Sequence, residues 1–427
     1  MNICLVNEYF PPFAPGGAEW SLDALSRAMA ARGHRVTIVT PNYGAAAREE
    51  RDGVSVVRFS FPRRLPSGRT PATPKWLANP LFYLWAALAV ARAARRAGAE
   101  VIHAQNKHSL IPCVLAGRWL GVPVFLTIRD GSIVDAAPMC LHHGDRMPTD
   151  CGVRKLWREC SEEYFTQYLA GRRSRLRGKL AFLYFWLDSR LKQRFLRRVD
   201  GVIGVSRGIL EIYRRSGLFD GVRSTHVVYN VPPLSTPPPP SDVEALRERL
   251  GLRGRRVVLY VGKFSPGKGS ADLVAAAQSL SSRCPDATFL FVGEGALETN
   301  GTADVRRFGP LPNREVLALY PLADVVVVPS IVPDALSRVI LEAMAASRPV
   351  VGTRVGGTPE LVIHDVTGLL IERGDRKELA DAIATLLDDP SRRERLGKAA
   401  REHISRGFVS DQTVEQLVAI YAGAQRA

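Results

Sequence analysis

Two lysines flank a Pro-Gly turn directly after an apolar run in the second half of the chain. Val257–Val261 precedes Gly262-Lys263-Phe-Ser-Pro-Gly-Lys268-Gly269. Ammonium groups five residues apart at the carboxyl end of a strand can converge on one anionic group. The spacing predicts that Lys263 and Lys268 bind a phosphate-bearing ligand. Solvated surface lysines are the alternative.

Two acidic residues follow about seventy residues later, in the segment Pro329-Ser-Ile-Val-Pro-Asp334-Ala-Leu-Ser-Arg-Val-Ile-Leu-Glu342. The pattern predicts that Asp334 lies on a loop after a strand, and that Glu342 lies in the second turn of a helix that starts near Leu336. Carboxylates accept hydrogen bonds from vicinal hydroxyls, so the pair could hold two sugar rings of one ligand. The amides of Leu336, Ser337 and Arg338 would then lie beside phosphate oxygens. Alternatively, Asp334 is only the N-cap of the helix.

A glycine pair near the N-terminus is a third candidate binding element. The strand Ile3–Asn7 leads through a loop to Gly16-Gly17 and a helix that begins near Ala18-Glu19. Paired glycines at a strand-to-helix turn allow a close backbone approach, and a helix N-terminus favours an anion. A diphosphate would suit this position, and an ordinary tight turn is equally compatible with it.

These residues must be positioned by elements that alternate between apolar runs and amphipathic stretches, which predicts parallel sheets covered by helices. The predicted strands are Ile3–Val6, Arg35–Thr40, Val54–Phe59, Val101–Ala104, Val124–Thr127, Gly201–Val205, Val257–Gly262, Ala287–Gly293, Val305–Phe308, Asp324–Pro329, Pro349–Thr353 and Gly368–Ile371. The fold class expected is therefore α/β, with two doubly wound Rossmann-like domains facing an interdomain cleft that holds the ligand.

The domain boundaries follow from a proline-rich run and from the length of 427 residues, which is enough for two cores. We expect an N-terminal domain over 1–232 with an insertion at about 129–175, and a linker over 233–241. Proline there should prevent both helix and strand. A C-terminal domain over 242–408 and a final helix over 409–427, packing back on the first domain, complete the prediction.

Charge and hydropathy limit the partners. The net charge is +16, and residues 151–200 hold 13 Lys and Arg against 5 Asp and Glu, which favours anionic partners. The N-terminus lacks the parts of a secretory signal, so a cytoplasmic protein is expected. The apolar stretch Trp76–Ala91 is too short to span a membrane and predicts a helix on the first sheet, with lipid contact as the alternative.

Two further hypotheses concern the insertion and the basic segment after it. Cys140, His142, His143, Cys151 and Cys160 could provide a structural zinc site, or the cysteines could remain thiols. The stretch 179–198 combines aromatic residues with Lys and Arg, which is typical of a helix that lies on anionic lipid. A core helix with a solvated basic face is the alternative.

Taken in order, these motifs resemble glycosyltransferase family 4 across nearly the whole chain. The resemblance is carried by Gly16-Gly17-Ala18-Glu19, Val261-Gly262-Lys263 to Lys268-Gly269, Phe291-Val-Gly-Glu-Gly295, Phe308-Gly309, and the segment from Asp334 through Glu342 to Gly357. It implies a GT-B fold and transfer with retention of configuration from a nucleotide diphosphate sugar, without a divalent metal or other cofactor.

By the same resemblance, Glu342 would hold the donor ribose, and Asp334 would hold the hydroxyls of the transferred sugar. Lys263 and Lys268 would bind the diphosphate, and the loop at Gly309 would meet the base through its backbone.

The sequence departs from the family pattern in three places. Asp334 replaces the usual Glu and Leu336-Ser337 replaces Phe-Gly, which leaves the donor open. Lys263 stands where Arg is common, so a point charge replaces a bidentate fork. Thr127-Ile-Arg129-Asp130 has Arg129 in place of His, and arginine cannot act as a base at neutral pH, so its role would be electrostatic.

The predicted function is sugar transfer to a cell-envelope, polysaccharide or lipid-linked acceptor, with an anionic membrane surface as a further partner. Two other classes of protein are the alternatives. A nucleotide-sugar-binding protein without catalysis is compatible with the altered first acid. A nucleic-acid-binding protein would suit the sequence pI of about 9.9, but the chain carries none of the recognised groove-reading or stacking motifs, so nucleic acid is not expected as a partner.

Overall fold

The computed structural model describes residues 1–66, 68, 72, 74–131, 133–134, 152–162, 175–231 and 238–425. The chain forms two compact units. The first comprises Met1–Pro233 together with Ser410–Ala427, and the second comprises Leu234–Val409.

The first unit is built on an eight-stranded sheet in the order β3-β4-β2-β1-β5-β6-β7-β8. Its strands are β1 (Asn2–Val6), β2 (Arg35–Asn42), β3 (Arg48–Arg51), β4 (Val54–Ser60), β5 (Val101–Ala104), β6 (Val124–Ile128), β7 (Gly201–Gly204) and β8 (Thr225–Val227). All pairings are parallel except that of β3 with β4. Because helices cover the sheet, the central strands are apolar along their length.

The helices in the first half of the chain belong to this unit. They are α1 (Gly17–Ala31), α2 (Pro74–Leu77), α3 (Pro80–Arg96), α4 (Leu110–Leu120), α5 (Val153–Lys155), α6 (Arg175–Leu196) and α7 (Arg207–Arg215). The core between α1 and the sheet contains Leu22 and Met29 packed with Ile3, Leu5 and Val36. A π-helical turn, Leu156–Cys160, follows α5.

The second unit has six strands, all parallel, in the order β11-β10-β9-β12-β13-β14. They are β9 (Arg256–Val261), β10 (Ala287–Val292), β11 (Asp304–Phe308), β12 (Val325–Val328), β13 (Val350–Thr353) and β14 (Gly368–Ile371). Its helices are α8 (Pro240–Arg249), α9 (Ser270–Leu280), α10 (Asn313–Leu319), α11 (Arg338–Ala345), α12 (Thr358–Leu361), α13 (Arg376–Asp388) and α14 (Pro390–Gly407). A 3₁₀ turn, Pro266–Lys268, precedes α9.

The last helix, α15 (Ser410–Gln425), belongs to the first unit. Its Val414, Leu417 and Tyr421 join the core beneath α1. The hydroxyl of Tyr421 lies 2.6 Å from Nδ1 of His103, and Nε2 of His103 lies 2.8 Å from Oγ1 of Thr127. Burial lowers the pKa of His103 to about 3, so the ring is neutral and bridges the final helix to β5 and β6.

The structure confirms the α/β class with two parallel-sheet units, and each predicted strand lies within about two residues of an observed one. The sequence prediction missed β3 and β8, whose three or four residues give little periodic signal. The linker prediction was wrong at Pro240, which begins α8. Proline is tolerated in the first turn of a helix because the amide that it lacks has no intrahelical partner there.

The apolar stretch 76–91 falls mostly within α3. Asn79 caps this helix by accepting a hydrogen bond of 2.9 Å from the amide of Leu81. Tyr83, Ala86 and Val90 are buried, whereas Leu81 and Trp85 are exposed. None of the helices in the described part of the chain is both long enough and apolar enough to cross a membrane.

Candidate functional site

The loop after β9 carries Lys268 and is tied to the loop after β12. The carbonyl of Gly267 accepts hydrogen bonds from the amides of Ile331 (3.0 Å) and Val332 (3.2 Å). Gly269 has a φ of +65°, and a Cβ there would lie 1.9 Å from the carbonyl oxygen of Pro329. Only glycine permits this approach, so the two loops are held together at the carboxyl edge of the second sheet.

The loop after β12 carries Asp334 and is held in turn by the glycine pair that follows β13. The amide of Gly357 donates a hydrogen bond of 2.8 Å to the carbonyl of Asp334. Gly356 has a φ of +53°, and a Cβ there would lie 2.1 Å from the same oxygen. The backbone of Asp334 is therefore clamped by Gly356 and Gly357.

These two clamps bring Lys268 and Asp334 into direct contact. Nζ of Lys268 lies 2.7 Å from Oδ2 of Asp334, and the side chains are 26 % and 22 % exposed, so a ligand can reach both. Burial, together with the charge of Asp334, raises the pKa of nearby Tyr260. The Tyr260 hydroxyl donates to the carbonyl of Lys263 at 2.7 Å, which fixes the backbone of the first lysine while its side chain is exposed.

Glu342 lies in the second turn of α11 and is buried, at 6 % exposed. Its Oε2 accepts a hydrogen bond of 2.7 Å from the hydroxyl of Tyr320, and its Oε1 accepts one of 2.6 Å from Nε of Arg338. Burial and the Glu342 carboxylate raise the pKa of Tyr320 well above its usual range. No sequence pattern pointed to Tyr320, which lies 22 residues before Glu342 along the chain.

Helix α11 begins at Arg338, two residues after the position expected from the sequence, and its N-cap residue is Ser337. The alternative that Asp334 caps this helix is therefore wrong, because Asp334 lies three residues before the cap. The side chains of Leu336 and Ser337 are buried at the start of the helix. The first-turn amides of α11 lack intrahelical acceptors, and this end of the helix favours an anion.

Gly309 follows β11 at the same carboxyl edge. A Cβ at this position would meet no described atom within 4 Å, so the backbone borders open space. The carbonyl of the preceding Phe308 accepts a hydrogen bond of 3.1 Å from the amide of Gly293. The loop at Gly309 is thus fixed on one side and accessible on the other.

In the first unit, the glycine pair begins α1. Gly16 is its N-cap, and the Gly16 amide donates a hydrogen bond of 2.9 Å to Oε2 of Glu19, which is buried. The helix begins at Gly17, one residue before the expected position. An internal carboxylate therefore already occupies the amide of Gly16, and Gly17 is the glycine of the pair that lies inside the first turn.

Arg129 follows β6 and is held by side chains from two other loops. Its Nη1 donates to Oδ1 of Asn230 at 2.6 Å, and its Nη2 donates to Oε1 of Gln105 at 3.0 Å. Burial lowers the pKa of the guanidinium to about 10, so it stays positive at neutral pH. The sequence prediction identified neither partner.

A buried network that the sequence prediction missed lies after β1. Oε1 of Glu8 accepts a hydrogen bond of 3.2 Å from the amide of His108, whereas the buried Oε2 has no partner among the described residues. Burial raises the pKa of Glu8 to about 7. Lys192 of α6 is buried beside His108, with Nζ 3.1 Å from Nδ1, and pairs with Asp188. Burial lowers the pKa of Lys192 to about 8.

The zinc hypothesis falls mostly outside the described residues, which exclude Cys140, His142, His143 and Cys151. Cys160 is buried, in one cluster with Leu156 and Phe182. Within the described ranges, no group of three or more His, Cys, Asp or Glu side chains is arranged to hold a metal ion. The zinc site stays a prediction.

Comparison with known proteins adds to this geometry. A family model described as glycosyl transferase 4-like domain matches residues 16–230, and one described as glycosyl transferases group 1 matches residues 242–403. The D-inositol 3-phosphate glycosyltransferase of Corynebacterium glutamicum is 36 % identical over 197 residues, which cover 42 % of this chain and 47 % of the relative. The chain thus spans about half the length of the curated relatives that it matches.

Two solved structures resemble the whole chain in fold. HepE of Anabaena in complex with UDP-glucose has a TM-score of 0.69 at 21 % identity and covers 99 % of both chains. Sucrose-phosphate synthase of Thermosynechococcus elongatus has a TM-score of 0.70 at 22 % identity, covering 99 % of this chain and 98 % of the other.

The two parallel-sheet units and these likenesses show that the chain has the GT-B fold. Within that fold class, the chain belongs to glycosyltransferase family 4, because one family model alone covers half of its residues and the other covers most of the remainder.

Proposed function

We propose that this protein is a retaining glycosyltransferase that moves a sugar from a nucleotide diphosphate sugar to a cell-envelope, polysaccharide or lipid-linked acceptor. The observation that carries the proposal is the contact between Lys268 and Asp334, 2.7 Å apart at the carboxyl edge of a parallel sheet. This contact places an ammonium group, which can neutralise a leaving phosphate, beside a carboxylate, which can accept hydrogen bonds from sugar hydroxyls.

In the proposed donor complex, Lys263, Lys268 and the amides of Leu336, Ser337 and Arg338 bind the diphosphate. Lysine ammonium groups and a helix N-terminus stabilise the charge that grows on a leaving phosphate. They would supply the positive charge for which other transferases use a divalent metal, so the proposed reaction is metal-independent.

Other residues at the carboxyl edge of the second sheet are proposed to bind the remaining parts of the donor. Glu342 is proposed to hold the ribose, and its contacts with Tyr320 and Arg338 fix the carboxylate in one orientation. Asp334 would accept from hydroxyls of the transferred sugar, and the open backbone at Gly309 would contact the base.

In the first unit, Gly17 and the other amides at the start of α1 offer a second anion site. The Gly16 amide would join it only after leaving Glu19. Arg129 would contribute positive electrostatic potential. It would not act as a general base, because its guanidinium stays protonated at neutral pH.

The proposed chemistry is front-face substitution. The bond from the anomeric carbon to the leaving phosphate oxygen breaks, and the acceptor oxygen bonds to the same face of the sugar. The acceptor proton passes to the leaving diphosphate, so no protein carboxylate has to form a covalent intermediate, as a double-displacement glycosidase requires. Configuration at the anomeric carbon is retained.

The acceptor side of the proposal includes a peripheral position on the inner face of the membrane. Helix α6 exposes Leu176, Leu180 and Leu187 together with arginines at its start (Arg175 and Arg177) and in its second half (Arg190 and Arg194). A surface that combines apolar side chains with arginines is suited to an anionic bilayer surface.

The experiment is a screen of nucleotide diphosphate sugars for thermal stabilisation and for slow hydrolysis, followed by NMR assignment of the product anomer. We expect one donor to stabilise the protein, to release its sugar with retained configuration, and to react at the same rate in EDTA. Stabilisation without any hydrolysis or transfer would favour a binding protein without catalysis. An inverted product would contradict the proposed mechanism.

A further inference from the structure

A groove in the first unit lies on the β3-β4-β2 side of the sheet, between α3 and the strands β2 and β4. Its volume is about 380 Å³. Small side chains line the helix side of the groove: Ala89 and Ala93 of α3, and Ala97, which is the C-cap residue of this helix. As a result, Val57 and Phe59 of β4 are only half-buried, whereas Val54 and Val56 on the other face of the same strand are fully buried.

The charge of this groove has one sign. Arg48 of β3 and Arg92 and Arg96 of α3 line it, and their side chains are exposed to solvent. Among the described residues that line the groove, none is acidic, and Thr37, Ser55 and Ser60 add polar atoms to its floor. Three guanidinium groups from two elements around one cavity favour a ligand with a phosphate or similar anionic group.

One end of the groove is apolar. Trp85 lines it, and the indole is oriented by a hydrogen bond of 3.0 Å from Nε1 to the carbonyl of Ser60. Trp85 also belongs to an exposed stripe of α3 with Leu81, Leu84 and Leu88, which are 76 %, 52 % and 41 % exposed. Along α3, an exposed apolar first half therefore leads directly into an exposed basic second half.

Helix α6 lies beside α3. The hydroxyl of Tyr83 on α3 contacts Oδ1 of Asp188 at 2.5 Å, and the hydroxyl of Tyr184 contacts the carbonyl of Ala78. The order of these contacts shows that the two helices run in the same direction. Helix α6 adds exposed leucines and exposed arginines to this surface, with Arg175 and Arg177 at its start and Arg190 and Arg194 in its second half.

We propose that the groove lined by Arg48, Arg92 and Arg96 is a binding site for the phosphate headgroup of an anionic lipid, whose chains lie on the apolar stripe at Trp85. A free sugar phosphate would use the arginines and leave the stripe uncovered, whereas a bilayer lipid uses both. The site is separate from the donor loops, and the inference does not depend on the proposed transfer reaction.

The test measures binding of monomeric dihexanoyl phosphatidic acid by calorimetry, with dihexanoyl phosphatidylcholine, glycerol 3-phosphate and inorganic phosphate as comparison probes. The matched variants are Arg92→Ala, Arg96→Ala and Arg95→Ala. Arg95 is exposed on the same helix but does not line the groove. The three variants change charge equally, so they separate a built site from a diffuse basic surface.

We expect phosphatidic acid to bind more tightly than the other three probes. Arg92→Ala and Arg96→Ala should each weaken its binding about tenfold, and Arg95→Ala should change it less than twofold. Trp85→Ala should also weaken it, because the chains lose their apolar contact. Equal losses in all three arginine variants, equal binding of glycerol 3-phosphate or phosphate, or no binding of phosphatidic acid would each overturn the proposal.

Sedimentation with vesicles provides a second readout. Wild-type protein should bind phosphatidylcholine vesicles that contain phosphatidic acid and should not bind phosphatidylcholine alone. A Leu84→Glu/Leu88→Glu variant should no longer sediment with the vesicles. Its thermal unfolding temperature should equal that of the wild type, because both side chains are exposed. Unchanged vesicle binding by this variant would contradict the role of the stripe. Thermal stabilisation by a donor sugar, measured separately, reports on the transfer site alone.

Discussion

Nζ of Lys268 and Oδ2 of Asp334 form an ion pair of 2.7 Å between residues 66 positions apart in the sequence. Both side chains are about one quarter exposed, so solvent weakens the ion pair, and it can rearrange when an anionic ligand binds. The first two predictions follow from this contact.

Lys268→Ala is predicted to reduce turnover more than Lys263→Ala. Lys268 is fixed beside Asp334, where charge would develop on the leaving phosphate, whereas the Lys263 side chain is exposed. Loss of one such donor commonly costs about 3 kcal/mol, or about a hundredfold in rate. Steady-state kinetics of both variants check this. Wild-type turnover of Lys268→Ala would remove that lysine from the reaction.

Asp334 and Glu342 are predicted to differ in the kinetic constant that they affect. If Glu342 holds the donor ribose, it contacts a group that changes little during the reaction, so Glu342→Gln should mainly weaken donor binding. In the proposed complex the carboxylate of Asp334 acts near the growing positive charge, so Asp334→Asn should mainly lower turnover. The check is the donor Kd and kcat of each variant.

Asp334→Glu is the control for this pair, since it restores the usual acid of the family with one more methylene. It should impair activity or shift sugar preference if the shorter acid is matched to its donor.

A double-mutant cycle of Lys268→Ala with Asp334→Asn should show coupling, because the side chains are in contact. Unchanged kinetics in all Asp334 variants would exclude this residue from the site.

Gly356→Ala is predicted to lower kcat/KM by about tenfold or more, because a Cβ would lie 2.1 Å from the carbonyl oxygen of Asp334 and must displace that loop. Gly374→Ala is the matched control. Gly374 also has a positive φ, +75°, but its Cβ would meet nothing within 4 Å. The control should share the backbone strain, about 1 kcal/mol, and keep wild-type kinetics. Equal kinetics in the two variants would refute the clamp.

Glu8→Gln is predicted to stabilise the first unit above pH 7. Burial raises the pKa of Glu8 from 4.5 to about 7, so the folded protein retains a proton that the unfolded chain releases. The free energy of unfolding therefore falls as pH rises from about 4.5 to about 7, and it stays lower above that range. Glutamine removes this loss, with a gain of about 2 kcal/mol at pH 8 and little change at pH 4.5.

Urea unfolding at pH 4.5 and pH 8 checks this prediction. The wild-type difference between the two pH values should shrink in Glu8→Gln by the same amount that the variant gains at pH 8. A variant that follows the pH dependence of the wild type would show that Glu8 ionises as it does in the unfolded chain.

Tyr421→Phe is predicted to destabilise the first unit by about 1–3 kcal/mol, because the variant leaves Nδ1 of buried His103 without its partner. Gln425→Ala is the control on the same helix, since Gln425 makes an exposed hydrogen bond of 3.1 Å to the carbonyl of Glu100. The control should change the unfolding free energy by less than about 0.5 kcal/mol. Equal unfolding free energies for Tyr421→Phe and wild type would contradict the anchoring role of His103.

The sequence by itself determined the elements and the chemical types of the candidate site. Apolar runs with turn residues between them placed the central strands within about two residues of their observed bounds, and β5, Val101–Ala104, has the predicted bounds. The same local patterns marked Lys268, Asp334 and Glu342 as groups at strand ends or on the helix that follows. These features are local, because periodicity and turn chemistry act over a few residues.

Only the tertiary structure decided which of these groups meet. The contact of Lys268 with Asp334 depends on β9 lying next to β12 in the sheet, although β10 and β11 come between them in the chain. Tyr320 beside Glu342, Asn230 beside Arg129, and Tyr421 beside His103 are similarly distant in sequence. Such pairs arise from strand order and helix packing, which are set by burial over the whole unit and leave no signal in the spacing of neighbouring residues.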